Sequence, residues 1–209
     1  MLTTATHLQD SDVSERAQVR RENVRIARGL QRQDPDLLDE LIVEYQHRLM
    51  RFLLYLTKDR DLADDLFQET WMKVLVRGAQ FKGEAKFSTW LYSIARNLFV
   101  DLRRKRSALS LDELCDETNE ESALTLVSEG PSPFDNYRRL EDSEHVAAAL
   151  LSLDRIHREV LVLRFYEELA LEDIARITRA PLSTVKSRLY RGVSALDPYM
   201  KQVMRRDEA

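Results

Sequence analysis

The residue types that most often carry out chemistry are present in this sequence, but they are not arranged for it. The four histidines, His7, His47, His145 and His157, show no spacing typical of metal ligands. The one cysteine, Cys115, lies among acidic residues without a nearby cation to favour its thiolate. No glycine-rich phosphate-binding loop is present. The sequence therefore predicts no catalytic site, no metal and no cofactor, and we expect a protein that is not an enzyme.

An acidic and amide-bearing face is the first group whose spacing is informative. Its members, which recur three and four residues apart on a predicted helix, are Asp64, Asp65, Gln68 and Glu69. Paired carboxylates can serve acid–base or metal chemistry. No histidine lies nearby, however, and such a face is usually either solvated or a docking surface for a partner.

A second group combines cations with aromatic rings. The segment from Arg96 to Arg106 is the basic end of a predicted helix, and it follows a loop that contains Phe81, Lys82, Lys86 and Phe87. Cations track phosphates, and exposed aromatic rings can stack on unpaired bases. The alternative is that the rings are core and the cations solvated. That alternative is favoured for Trp90 and Phe99, and the nucleic-acid interpretation gains weight for the loop.

A third group lies near the C-terminus, where residues 171–191 have the pattern of a helix-turn-helix. Ile174, Ala175, Val185 and Leu189 would form its small core. The outward face of the second helix carries hydroxyls, cations and one ring, namely Ser183, Thr184, Lys186, Ser187, Arg188, Tyr190 and Arg191. These side chains suit base edges and phosphates in a major groove. An ordinary helical hairpin with a solvated polar face has the same pattern.

Amphipathic helices must position these groups. Apolar residues at three- and four-residue intervals predict a helix that starts at Pro35 and breaks over 57–60, and a second that runs from Asp61 to a stop at Gly78. Ser88 is the expected N-cap of a third helix. In the last third we expect helices over 171–178 and 182–196, the latter ended or kinked at Asp197 and Pro198. The fold class is all-α.

The charge distribution divides the chain of 209 residues. The formal net charge of −4 argues against nucleic-acid binding when taken whole. By segment it is +3 over 1–106, −9 over 107–145 and +2 over 146–209. We therefore predict an N-terminal arm over 1–30 that is mobile to about residue 20, with a short helix over 24–30. A helical domain over 31–106, a flexible acidic linker over 107–145 and a second domain over 146–201 would follow.

The sequence also predicts a cytoplasmic protein. A single cysteine fits a reducing compartment. No apolar run approaches the roughly 20 residues needed to span a bilayer, so no membrane insertion is expected. The N-terminus lacks the basic and then apolar order of a signal peptide.

Two segments together resemble a known family. Residues 63–71 (ADDLFQETW) and 81–97 (FKGEAKFSTWLYSIARN) closely resemble region two of bacterial RNA polymerase sigma factors. Residues 184–192 (TVKSRLYRG) resemble region four. With only these two regions joined by a linker, the chain looks like the small extracytoplasmic-function type. The resemblance covers about residues 30–106 and 146–200.

The resemblance implies a role for each surface. The face of Asp64, Asp65, Gln68 and Glu69 would dock on the clamp helices of the largest polymerase subunit. The minus-ten promoter element would contact the loop and the start of the basic segment, through Phe81, Lys82, Gly83, Ala85, Lys86, Phe87, Arg96 and Asn97. The minus-thirty-five element would contact Ser183, Thr184, Lys186, Ser187, Arg188, Tyr190 and Arg191. Apolar faces of the 146–165 block would meet the flap of the second-largest subunit, and an anti-sigma protein would hold the factor inactive.

The sequence departs from the family pattern at three positions. The turn often has glycine where Arg179 stands, glycine is also frequent at Glu168, and a capping hydroxyl is common at Ala170. These changes bear on local geometry and on which promoter is recognised. A free-standing helix-turn-helix regulator is the alternative function, but it leaves the acidic face and the aromatic loop unexplained. A helical enzyme is disfavoured, because the chain lacks a plausible active site.

Overall fold

The computed structural model describes the backbone of residues 3–109 and 146–207 and the side chains of 17–107 and 146–197. Its first part consists of four helices: α1 (Thr3–Arg32), α2 (Pro35–Thr57), α3 (Arg60–Arg77) and α4 (Phe87–Leu109). A 3₁₀ turn, Gly78–Gln80, follows α3. The predicted acidic linker and Cys115 lie outside the described residues.

The second part begins with helical residues 146–152 (α5) and α6 (Arg155–Leu161). One turn of π-helix, Val162–Tyr166, then leads to α7 (Leu171–Thr178) and α8 (Leu182–Asp207). All the regular secondary structure of the described ranges is helical, as the apolar periodicity predicts. None of the described helices combines the length and the mean hydropathy of a membrane span.

Local signals set the start of the central helices. Asp34 caps α2 by accepting hydrogen bonds from the backbone N–H groups of Asp36 and Leu37, and Pro35 occupies the first turn. Asp59 caps α3 in the same way through the N–H of Leu62. The prediction that α2 starts at Pro35 is confirmed. The predicted break after it is confirmed as well, because Lys58 adopts a left-handed conformation with φ of 59°.

Three predicted helix ends are wrong. Helix α1 extends over Thr3–Arg32 rather than only 24–30, because Asn23, Ile26 and Leu30 find buried positions on one of its faces. Helix α4 starts one residue before Ser88, which is therefore inside the first turn and is not the cap. Helix α8 continues past Pro198 to Asp207. A proline removes one N–H donor and here does not end the helix.

The turn between α7 and α8 keeps the left-handed backbone that glycine usually supplies. Arg179 has φ of 51°, and Glu168, before α7, has φ of 53°. Left-handed conformations cost a non-glycine residue about 1–2 kcal/mol. Ala170 makes no side-chain capping bond, as its lack of a hydroxyl predicts. The departures from the family pattern therefore leave the backbone path intact but carry conformational strain.

The two parts of the chain pack against each other through one apolar core. Buried residues of α2 and α4, such as Phe52 and Leu91, belong to the same cluster as Leu163 and Ile174 of the second part. The main contacts join α4 to α7 and α2 to α6 and the π-helical turn. This arrangement decides which predicted surfaces are open to solvent.

Candidate nucleic-acid and polymerase interfaces

The acidic face of α3 is accessible. Asp65, Gln68 and Glu69 are exposed, and the Asp64 side chain is 43% exposed. Two cations of the same helix lie beside it: Arg60 pairs with Asp64 at 3.3 Å and Lys73 with Glu69 at 3.4 Å. Such exposed pairs are worth little and are readily exchanged for contacts to a partner.

Exposed apolar side chains continue this face along α3. Met72 is 59% exposed and Val76 is 77% exposed. They follow Gln68 and Glu69 at the spacing of one helical face. Charged side chains beside exposed apolar ones are the usual composition of a docking surface, with the apolar part contributing area and the charges contributing orientation.

The predicted minus-ten loop is built on a buried aromatic cluster. Phe81 and Phe87 are 5% and 2% exposed, and their ring centroids are 5.7 Å apart in an edge-to-face contact. Trp90 packs 5.3 Å from Phe81, and Tyr45 packs 5.4 Å from Phe87. The side chains that project from the loop are Lys82, Glu84 and Lys86, which are exposed, with Gly83 and Ala85 half-buried.

Gly83 fits this loop against α1. Its φ is 72°, a region that side chains rarely adopt, and a Cβ there would lie 3.1 Å from the carbonyl oxygen of Asn23. Asn23 is itself buried. The loop therefore packs on the aromatic rings and against α1, and its lysine side chains face solvent.

The basic segment of α4 is divided between two environments. Arg103, Arg104, Lys105 and Arg106 are exposed. The Arg96 side chain is only 14% exposed, and its Nε donates to Oε1 of Glu159 at 2.6 Å. Asn97 is half-buried. Arg96, one of the residues predicted to contact the minus-ten element, is thus bound to a carboxylate of the second part of the chain.

The predicted recognition helix has one buried and one open face. Val185 is fully buried, and Gly192 allows α8 to approach α6 so closely that a Cβ would lie 2.9 Å from Cδ1 of Leu161. The opposite face presents its hydroxyls, cations and ring to solvent: Ser183, Lys186, Ser187, Tyr190 and Arg191 are exposed, and Thr184 and Arg188 are half-buried. Tyr190 is 71% exposed.

Sequence reasoning missed the charged groups that join the two parts. Glu167 has a fully buried side chain that accepts from Arg48 at 2.9 Å, from Arg51 at 3.0 Å and from the Tyr92 hydroxyl. Burial, together with the charge of Glu167, raises the pKa of Tyr92 above its usual range. Because the partners are far apart in sequence, the only available signal was a charged residue beside an apolar stripe.

Arg158 is the second missed group. The guanidinium is buried and donates to the carbonyl oxygens of Tyr55 at 2.5 Å, Leu151 at 3.0 Å and Leu153 at 2.7 Å. Burial, with the nearby charge of Arg155, lowers the pKa of Arg158 to about 10. Within the described ranges, no group of three or more histidine, cysteine or acidic side chains is placed to hold a metal ion.

Two family models match the chain. Sigma-70 region 2 matches residues 41–109, and Sigma-70 region 4 matches residues 143–196. The ECF RNA polymerase sigma factor SigW of Bacillus subtilis is 31% identical over 172 residues, which cover 81% of this chain and 92% of that protein. The ECF RNA polymerase sigma factor SigE of Mycolicibacterium smegmatis is 32% identical over 162 residues, covering 78% of this chain and 61% of that protein.

A solved structure has a similar arrangement of helices. The sigma factor RpoE from Bartonella quintana, in complex with the anti-sigma factor NepR, gives a TM-score of 0.65 at 27% sequence identity. The match covers 78% of this chain and 96% of that chain. It therefore spans both helical parts.

Proposed function

Since this chain belongs to the extracytoplasmic-function family of RNA polymerase sigma factors, which direct RNA polymerase to promoters, we propose that its exposed surfaces divide this work between them. The domain over 31–106 would bind core polymerase and the minus-ten element, and the domain over 146–201 would bind the minus-thirty-five element. The segment over 107–145 would link them. The polymerase carries out the chemistry, and this chain contributes specificity without being an enzyme itself.

The α3 face is the proposed docking surface for the clamp helices of the largest polymerase subunit. Asp64, Asp65, Gln68 and Glu69 would make its polar contacts. The observation that carries this assignment is that these side chains are exposed or half-exposed while the opposite face of α3 packs into the core, through Ala63, Leu66, Thr70, Trp71 and Val74. Met72 and Val76 add the apolar area that a stable contact needs.

The loop and α4 form the proposed minus-ten surface. Lys82, Gly83, Ala85 and Lys86 would contact the flipped base and its backbone, and Arg96 and Asn97 would hold the melted strand. Phe81 and Phe87 are proposed to shape this pocket from within, since their rings are buried against Trp90 and Tyr45. Backbone and lysine contacts at such a surface are sensitive to salt, because phosphate binding releases counterions.

The open face of α8 is the proposed minus-thirty-five surface. Lys186, Arg188 and Arg191 would meet phosphates or guanine edges, and Ser183, Thr184, Ser187 and Tyr190 would add hydrogen bonds and contact area. The exposed Ile156 and Phe165 are the apolar side chains that remain for the flap of the second-largest subunit. An anti-sigma protein is proposed as a further partner, supported by the RpoE–NepR complex. A cytoplasmic location is proposed because core polymerase works there.

Binding to core polymerase tests the docking proposal. The variant Gln68→Lys with Glu69→Lys should lose most of its affinity for purified core enzyme in a fluorescence anisotropy titration, because two contact side chains change shape or sign. Asp39→Lys is the control, since Asp39 is an exposed acid on α2 and is not one of the proposed contact residues. Equal binding by both variants would remove α3 from the interface.

A free-standing helix-turn-helix regulator is the alternative. It predicts tight, sequence-specific duplex binding by the chain alone. Residues 1–106 and 146–209, which contain the two domains, have net charges of only +3 and +2, so few phosphates can be neutralised without polymerase. The sigma-factor proposal therefore predicts weak binding of the free chain to promoter duplex and strong binding after core enzyme is added.

A further inference from the structure

We propose that the second domain inhibits the first within the same chain, and that the Glu159 carboxylate occupies Arg96 in place of a promoter phosphate. Polymerase binding would separate the domains and release Arg96 for the minus-ten strand. This inference rests on the proposed role of Arg96 in strand binding. It adds an intramolecular competitor, which needs no other protein to keep the free chain silent.

The Arg96–Glu159 pair is shielded from water on both sides. The Glu159 side chain is 1% exposed and the Arg96 side chain is 14% exposed. Arg155 reaches the second oxygen of the same carboxylate at 3.4 Å. Both oxygens are therefore bound by guanidinium groups, which is how guanidinium groups also bind phosphate. A phosphate and Glu159 cannot use the same face of Arg96 together.

A second buried carboxylate fastens the domains close by. Glu167 takes donors from three residues of the first domain, namely Arg48, Arg51 and Tyr92, and has none of its side chain exposed. Arg48 also donates to the backbone carbonyl of Glu167 at 3.1 Å. If the domains separated without water entering, this carboxylate would be an unpaired buried charge. The two domains are thus expected to pack closely in this one arrangement, because another arrangement would bury Glu167 without the guanidinium groups of Arg48 and Arg51.

Opposing charges keep the closed state from being permanent. Arg155 is surrounded by other cations: its pKa is lowered by burial and, despite the charge of Glu159, by the charges of Arg103, Arg96 and Arg188. Arg103 belongs to the basic end of α4, and Arg188 belongs to the recognition helix. Closure therefore brings cations of both proposed DNA surfaces near one another. Their repulsion favours opening as soon as polymerase or a polyanion compensates the loss of Glu159 and Glu167.

Opening exposes both carboxylates to water, where they are well solvated. The cost of separating the domains is then the loss of the paired contacts and of the apolar surface between α4 and α7. This cost arises once, when the chain binds core enzyme through the proposed α3 surface. The free chain stays closed, and its Arg96 stays inaccessible to DNA.

The test measures closure and strand binding in the same full-length chain. Spin labels at Asp39→Cys and Glu172→Cys, in a Cys115→Ser background, report the distance between the domains by pulsed electron resonance. A pool of single-stranded DNA about 20 nucleotides long is the binding probe, read by anisotropy. Glu159→Gln should lengthen and broaden the distance distribution. It should also tighten DNA binding by about tenfold, because one charge-assisted bond no longer competes.

Arg96→Gln separates competition from simple opening. It breaks the same pair, so it should also broaden the distance distribution, but it should not tighten DNA binding. Glu172→Gln, assayed for DNA binding in a chain without the label at that position, neutralises an exposed acid of α7 and should leave the DNA affinity unchanged. If Glu159→Gln lowers helix content, Glu167→Gln serves as the second opening variant with the same two expected changes.

An unchanged distance for Glu159→Gln and Glu167→Gln, or equal tightening by Glu159→Gln and Arg96→Gln, would overturn the competition. Failure of the proposed function looks different: the wild-type chain would bind no core enzyme, while the closed distance and its loss in Glu159→Gln would persist. In the holoenzyme, wild type and Glu159→Gln should show the same long distance. A short distance in the wild-type holoenzyme would contradict the opening step.

Discussion

The Nε atom of Arg96 lies 2.6 Å from Oε1 of Glu159, and this contact joins two domains of a sigma factor. Arg96 was predicted as a DNA-binding residue, and Glu159 lies in the domain proposed to read a different promoter element. Their pairing means that the surfaces of the two domains are not independent. Arg158 and Tyr92 also contact residues across this junction, Tyr55 and Glu167, so their effects on stability bear on function as well.

Replacing Arg158 should destabilise the fold strongly. Arg158→Met leaves three carbonyl oxygens, those of Tyr55, Leu151 and Leu153, without their donor. We expect the free energy of unfolding to fall by about 2–4 kcal/mol, measured by urea denaturation followed by circular dichroism. Arg104→Met is the control, because that side chain is 80% exposed and pairs with Asp101 on the surface of α4. Equal effects of the two substitutions would show that the buried contacts contribute nothing.

Glycine should be accepted at Arg179, where φ is 51°. Arg179→Gly removes the strain of the left-handed conformation but increases the conformational entropy of the unfolded chain. We therefore expect the free energy of unfolding to rise by between zero and about 1 kcal/mol. Arg176→Gly, three residues earlier inside α7, should cost about 1 kcal/mol instead. Thermal or urea unfolding of the two variants gives the comparison. If both lose stability alike, the strain at Arg179 is absent.

Alkaline pH should weaken the fold through Tyr92. Its pKa is raised by burial and by Glu167, so the folded chain keeps a proton that the unfolded chain loses above about pH 10. The group therefore stabilises the fold below pH 10, and this contribution is lost as pH rises, by about 1.4 kcal/mol per pH unit. Burial raises the pKa of Tyr45 and Tyr55 as well, with the same sign. The lowered pKa of Arg158 acts in the opposite direction.

Urea titrations at several pH values between about 9 and 11 measure this slope. Tyr92→Phe should flatten the curve relative to wild type, since it removes one titrating hydroxyl. Tyr190→Phe is the control, because Tyr190 is exposed on α8. Identical slopes for wild type and Tyr92→Phe would mean that the Tyr92 hydroxyl does not titrate with unfolding.

Base recognition by α8 should depend on Lys186 and Arg191. Replacing each by alanine should reduce discrimination among minus-thirty-five variants by about 1–3 kcal/mol per lost base contact, or weaken all sequences alike if the contact is to phosphate. In vitro transcription from a library of promoter variants distinguishes the two results. Arg176→Ala is the control, since Arg176 is exposed on α7 and pairs with Asp173. An unchanged ranking and strength for both variants would contradict the assignment.

Apolar periodicity predicted the helices whose burial depends on their own stripe. Helix α7 has the predicted bounds, Leu171–Thr178, and α2 starts at Pro35 as predicted. The length of helix α1 was underestimated because its sequence is mostly polar. Its few buried residues, such as Ile26 and Leu30, are buried by packing against α2 and the 3₁₀ turn, which the sequence of α1 alone does not reveal. Propensity without an apolar stripe is a weak local signal.

The candidate surfaces were predictable to different degrees. The α3 and α8 faces follow from helical spacing, and the structure leaves both exposed. The burial of Phe81 and Phe87 was not predicted, because ring positions in a loop have no period. The pairing of Arg96 with Glu159 spans 63 residues, across a segment whose path local rules do not determine. Such a contact forms only when the two domains pack together, so no pattern of neighbouring residues in the sequence predicts it.

The close approach at Gly192 has a consequence for how this sequence tolerates change. A library of all substitutions along α8 should be depleted of non-glycine variants at position 192, most strongly of large ones, because a Cβ there would lie 2.9 Å from Cδ1 of Leu161 and that side chain would have to shift. Neighbouring positions 193–195 are exposed and should accept most residues. Exposed positions that are proposed to contact DNA, such as Lys186 and Arg191, could therefore change while Gly192 keeps the helix packed on α6. New promoter specificities could arise by mutation without rebuilding the domain.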